Sequence, residues 1–137
     1  MKIVYSYYVM DIMHKGHLLM LRNSKAIAGE DGVLVAGILT DKAAMEKKPQ
    51  PTLPVEERID IAAAIKYVDV VVAQDTYSPV QNIKTIRPDV LMENPEHDAA
   101  VIAEARDFMH SIGGKVITLP YFPPQSSTKI KLKIKDV

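Results

Sequence analysis

Seven consecutive apolar residues, Val33-Leu34-Val35-Ala36-Gly37-Ile38-Leu39, leave no polar face on which a strand could meet water. A strand that is apolar on both faces belongs in a parallel sheet covered by helices on each side. The rest of the chain agrees. Apolar runs at 3–10, 68–73, 90–92 and 115–119 read as four more strands. Between them, 16–28, 54–66, 80–86 and 99–112 read as helices. Pro54 stands at a first helical position, Arg87-Pro88-Asp89 ends the third helix, and Gly113-Gly114 closes the fourth. Residues 41–53 hold lysines and prolines without periodicity and read as a loop. Ser126-Ser127-Thr128 reads as the cap of a last short helix. The expectation is a single α/β domain over residues 1–137, with a five-stranded parallel sheet and helices on both faces.

Composition excludes several classes of function. Seventeen basic and seventeen acidic residues cancel, so no bulk field draws the chain to nucleic acid. Residues 129–135 form the one locally basic stretch. There is no cysteine, which removes disulfides, thiolate catalysis and cysteine zinc sites. The start Met1-Lys2-Ile3-Val4-Tyr5 does not read as a signal peptide. No apolar run reaches the ~20 residues of a membrane span. A cytoplasmic protein with neither membrane nor nucleic-acid partner is expected.

In a parallel sheet, ligands bind beyond the carboxyl ends of the strands. His14 and His17 follow the first strand, Thr40 and Asp41 the second, Glu93 and Asn94 the fourth, and 120–128 the fifth. All candidate residues therefore emerge at one edge. His14-Lys15-Gly16-His17 lies where a strand hands over to a helix. A helix N-terminus offers unpaired N–H groups and a positive dipole end, which favour phosphate. Two imidazoles add donors, and Gly16 lets a ligand approach. A divalent ion on His14, His17 and Asp11 is a second reading, ranked lower because it leaves the helix terminus unused. Arg58 sits in the first turn of its helix, opposed to the dipole, which points to an anionic partner: Glu56, Glu57 or the ligand. Asp69 reads as a turn or subunit contact, His97 and His110 as structural or surface residues, and Met20, Ala62, Ala63 and Met109 as core.

Asp11-x-x-His14-x-Gly16-His17 resembles the HxGH motif of the nucleotidyltransferase superfamily, in particular its cytidylyltransferases. Six more segments resemble the family in order: Val35 to Asp41, Lys47-Lys48, Glu57-Arg58, Lys66 to Val71, Arg87 to Val90, and Ser126 to Ile130. The chain looks most similar to glycerol-phosphate and phosphonate-type cytidylyltransferases, Pro120-Tyr121 leaning toward the latter. It departs from the pattern at Tyr8-Val9-Met10-Asp11, at Glu93-Asn94-Pro95-Glu96 in place of Gly-Asp-Asp-Trp, and at Pro123-Pro124-Gln125.

The resemblance implies a Rossmann-like nucleotidyltransferase fold, transfer of CMP from CTP to a small phosphorylated or phosphonylated acceptor, and release of pyrophosphate. ATP-dependent adenylyl transfer is the alternative within the class. A nucleotide-binding regulatory module without catalysis is the alternative outside it. His14, His17, Lys47 and Arg58 take the catalytic roles. Tyr8, Val9, Met10, Asp11, Gly16, Lys48, Met92, Asn94, Ser126, Ser127 and Thr128 bind the nucleotide. Asp41 and Tyr121 meet the acceptor. Mg²⁺ rides on the nucleotide phosphates with no metal ligand from the protein, and the protein is a homodimer.

Overall fold

The computed structural model describes residues 1–119 and 126–135. Its sheet has five strands, all parallel, in the order β3-β2-β1-β4-β5. They are β1 (Ile3–Tyr8), β2 (Val33–Leu39), β3 (Val70–Gln74), β4 (Val90–Glu93) and β5 (Lys115–Thr118). The helices are α1 (Lys15–Ala28), α2 (Asp41–Ala44), α3 (Val55–Ala63), α4 (Val80–Ile86), α5 (Ala99–Ser111) and α6 (Ser127–Lys135). The expected α/β domain is therefore the observed one. β2 occupies the whole seven-residue apolar run, and six of those residues are buried. Among the described residues no helix is long and apolar enough to cross a membrane.

Two apolar clusters flank the sheet. Val4, Leu21, Leu34, Ile38 and Ala62 pack on the α1/α3 face. Tyr5, Tyr7, Leu39, Ile83, Leu91 and Met109 pack on the α4/α5 face. Alternation along β1 therefore sends Tyr7 to one face and Tyr8 to the other. Gly37 makes room on the α4/α5 face, where a Cβ would sit 2.0 Å from the Tyr5 hydroxyl. That hydroxyl donates to Gln74 Oε1 at 2.6 Å and accepts from Asn82 Nδ2 at 3.0 Å, tying β1 to β3 and α4.

Some boundaries differ from the sequence reading. Residues 41–44 form α2, a single helical turn inside the expected loop, capped by the Thr40 hydroxyl accepting from Ala43 N. One turn is too short to show periodicity. Pro54 is the N-cap of α3, not its first helical residue, and α3 ends at Ala63 rather than 66. β3 begins at Val70, not 68, because Asp69 is spent on β2: its carboxylate accepts from Leu34 N and pairs with Lys25 Nζ, both at 2.8 Å. The expected turn or subunit contact at Asp69 is thus an internal pin. Ala62 and Met109 are core, whereas Ala63 is exposed and Met20 half-buried.

The strand order reverses between β1 and β4, so the crevice at their carboxyl ends is where such a sheet takes a ligand.

Candidate active site

A cavity of about 790 Å³ opens at that crevice. One wall is the start of α1. His14 N–H donates to His17 Nδ1 at 3.2 Å, and Gly16 N–H donates to His14 Nδ1 at 3.0 Å. A ring nitrogen that accepts a hydrogen bond carries no proton, so each neutral ring holds its proton on Nε2. The rings lie 4.1 Å apart, and both line the cavity. Burial lowers the His14 pKa, and burial together with the charges of His14 and Lys48 brings His17 down to about 4. Both imidazoles are therefore neutral Nε2–H donors at pH 7. The sequence placed the helix N–H groups themselves at the ligand. In the structure Gly16 N–H is spent on His14, and the rings carry donor character into the cavity instead.

β1 and the turn after it supply the floor. Tyr8, Val9 and Met10 line the cavity, and the Tyr8 ring meets His17 edge-on, centroids 6.2 Å apart. Met10 is left-handed, with φ 56°, a strained conformation for a residue with a long side chain. Beyond it, Asp11 accepts from Thr52 N and Leu53 N at 2.8 Å each and from Lys131 Nζ at 2.5 Å. Burial pushes the Asp11 carboxyl up, but Lys131 and the two N–H groups outweigh it and hold the pKa below its ordinary value. Both oxygens of Asp11 thus brace the cavity, three of the carboxylate's roughly four acceptor positions being taken. Among the described residues no three His, Cys, Asp or Glu converge on a point.

The opposite wall comes from α6. Ser126 is its cap, its hydroxyl accepting from Lys129 N at 3.0 Å, and the Ser127 hydroxyl donates to Ile12 O at 2.7 Å. Ser126, Ser127, Thr128, Lys131 and Lys135 all line the cavity, as do Gly16, Lys48, Met92 and Asn94.

Three expected site residues stand elsewhere. Arg58 is fully buried, and its guanidinium donates to Leu53 O, Val9 O and Leu39 O and pairs with Asp41 at 2.6 Å. The anionic partner inferred from its helix position is therefore Asp41, neither Glu56, Glu57 nor a ligand. Asp41 is in turn held by Arg58, and neither lines the cavity. Lys47 reaches Asp98 at 3.5 Å, outside the cavity wall, while Lys48 lines it. Tyr121, with the Pro120-Tyr121 and Pro123-Pro124-Gln125 segments, lies outside the described residues.

Residues 9–133 match the cytidylyltransferase-like family. The chain belongs to that family, within the HxGH nucleotidyltransferase superfamily. An FAD synthase of Pyrococcus abyssi is similar to it, 33% identical over 133 residues, which cover 94% of this chain and 87% of that protein. The bifunctional protein HldE of Gluconobacter oxydans is 33% identical over 132 residues, 94% of this chain but 26% of that protein. The chain thus spans about a quarter of the length of the HldE proteins it matches. A crystal structure of a lipopolysaccharide core biosynthesis protein from Thermoplasma volcanium shares the fold, with a TM-score of 0.72 at 22% identity, covering 89% of this chain and 97% of that one.

One cluster was read in the sequence only at Glu93 and Asn94, without Tyr7, Tyr77 and His97. Glu93, at the end of β4, has no solvent exposure. It accepts from the Tyr7 hydroxyl at 2.8 Å on each oxygen and from Asn94 N at 3.0 Å, and it pairs with His97 Nδ1. The His97 ring stacks on Tyr7 at 4.7 Å and meets Tyr77 edge-on at 5.9 Å. Burial and the Glu93 charge push the Tyr7 hydroxyl far up, so it stays a donor. Tyr7, Tyr77 and His97 all line the cavity. The expected structural histidine is a cavity residue. Its only sequence signal was a carboxylate four residues before a histidine at a strand end.

Proposed function

We propose that this chain transfers a nucleoside monophosphate from ATP to a small acceptor bearing a phosphate or phosphonate, releasing pyrophosphate. The observation that carries this reading is the reciprocal Nδ1 capping of His14 and His17, which leaves two preorganised Nε2–H donors side by side in the cavity. Such donors suit a triphosphate whose charge shifts as the α-phosphorus is attacked. The protein needs to supply little covalent chemistry. Lys48 adds a point charge, and Ser127 and Thr128 at the start of α6 close the phosphate wall. With both Asp11 oxygens committed, the donor set suits an Mg²⁺ held by the phosphates and water, and that ion would neutralise charge on the leaving pyrophosphate.

ATP is favoured over CTP because the FAD synthase relative spans nearly the whole of both chains, and its product contains an adenylyl group. CMP transfer from CTP is the second reading, favoured by the family description. Pyrophosphate release from ATP·Mg²⁺ and CTP·Mg²⁺, each with a panel of phosphate and phosphonate acceptors, separates the two. Release only from CTP would overturn the choice of nucleotide. Release from neither, with nucleotide still bound, would leave a binding module.

A further inference from the structure

The α4/α5 side of the cavity also carries a histidine, with the reverse chemistry. Glu93 is a buried carboxylate, and its other partners, the Tyr7 hydroxyl and Asn94 N–H, are donors. A carboxylate only accepts, so the His97 nitrogen facing it, Nδ1, holds the proton. That leaves Nε2 of the neutral ring as a lone pair. The ring is clamped between Tyr7 and Tyr77, with its side chain 20% exposed, in the cavity at the strand-order switch. Tyr7 and Tyr8 point to opposite faces of the sheet, so His97 and His17 lean on adjacent residues of β1 from opposite sides. In-line displacement needs the attacking oxygen on the side of the α-phosphorus away from the leaving pyrophosphate. If the phosphates rest on His14 and His17, the face bearing His97 is left for the acceptor.

We propose that His97 is the acceptor-side base of the transfer, positioned by Glu93, and that the acceptor presents an O–H group to it. This rests on the nucleotidyl-transfer reading above. The acceptor O–H gives its proton to His97 Nε2 as its oxygen forms the new bond to the α-phosphorus. The bond from that phosphorus to the bridging oxygen breaks, and its electron pair leaves on pyrophosphate. Glu93 stabilises the imidazolium that forms, as a buried carboxylate does for any base it orients. The acceptor class is thus a singly protonated phosphate or phosphonate, with water as the slow default.

The test uses the full chain and four measurements: the Kd of ATP·Mg²⁺ and CTP·Mg²⁺ by calorimetry; pyrophosphate release with a phosphate monoester, a phosphonate or water alone as acceptor; release by His97→Ala with added imidazole; and imidazole ¹⁵N–¹H spectra. For His97→Gln, nucleotide Kd should be unchanged and release slower by about 10²- to 10⁴-fold, the range for a general base. Imidazole should restore part of the rate to His97→Ala, which a packing role for the ring would not allow. Glu93→Gln should slow release and shift His97 from the Nδ1–H form, seen in imidazole ¹⁵N–¹H spectra. Release by His97→Gln within threefold of the unaltered protein, no imidazole rescue, or bound nucleotide with no release from any acceptor would each overturn the proposal. If neither nucleotide binds the unaltered protein, the phosphate-wall reading itself fails and the base falls with it.

Discussion

His14 and His17 at the start of α1, and His97 behind β4, line one cavity from opposite faces of the sheet, yet offer it opposite things. On the α1 side, backbone N–H groups fill each Nδ1, and the rings present protons. On the β4 side a buried carboxylate accepts the hydrogen bond of Nδ1–H, and the neutral ring presents a lone pair. The residue type is the same, and the partner of one ring nitrogen decides its role. A short helix-start motif makes the first arrangement. A strand end, a neighbouring strand and a loop are needed for the second.

The largest effect that sharpens this contrast is at the donor wall. His17→Ala should lower kcat by about 10²- to 10³-fold, as removing one preorganised donor does, while circular dichroism shows an intact fold. Near-normal turnover would mean the α1 histidines are caps and nothing more. Next is a residue that serves neither wall directly. Arg58→Met should cost about 3 kcal/mol in urea unfolding, because Val9 O and Leu39 O lose a buried donor and Asp41 its partner. A variant that keeps its stability but loses turnover would return Arg58 to the catalytic set.

The smallest effect is in pH dependence. His17 resists protonation in the fold until about pH 4, whereas its ordinary value is 6.5. As pH falls below 6.5 the unfolded chain takes up a proton that the folded one refuses, so stability is full above 6.5 and declines toward pH 4. Thermal unfolding across that window should show the decline, and His17→Gln should make it shallower. An unchanged slope would mean that His17 is solvated like an ordinary surface imidazole.

Much of the fold was legible because it follows from local pattern. β2 and α4 begin and end where the sequence reading put them, since apolar run and breaker coincide. His14-x-Gly16-His17 was legible as a helix start because cap and motif fall within one turn. What stayed hidden depends on long-range partners. The buried fate of Arg58 is set by carbonyls just past β1, at the end of β2 and in a loop, 5 to 49 residues away. The ties of Asp11 to residues 41, 42 and 120 positions distant carry no local signal. His97 gains its partners only when β4 docks beside β1, bringing Tyr7 onto Glu93 across 86 residues.

The central claim is that the partner of Nδ1 fixes what each histidine gives the cavity. Long-range ¹⁵N–¹H correlation spectra of the imidazole rings, recorded near neutral pH, read the tautomers directly. The account predicts Nε2–H for His14 and His17, and for His97 a proton on Nδ1 with Nε2 bare. Nδ1–H on either α1 histidine, or on His97 an unprotonated Nδ1 or a proton on Nε2, would contradict it.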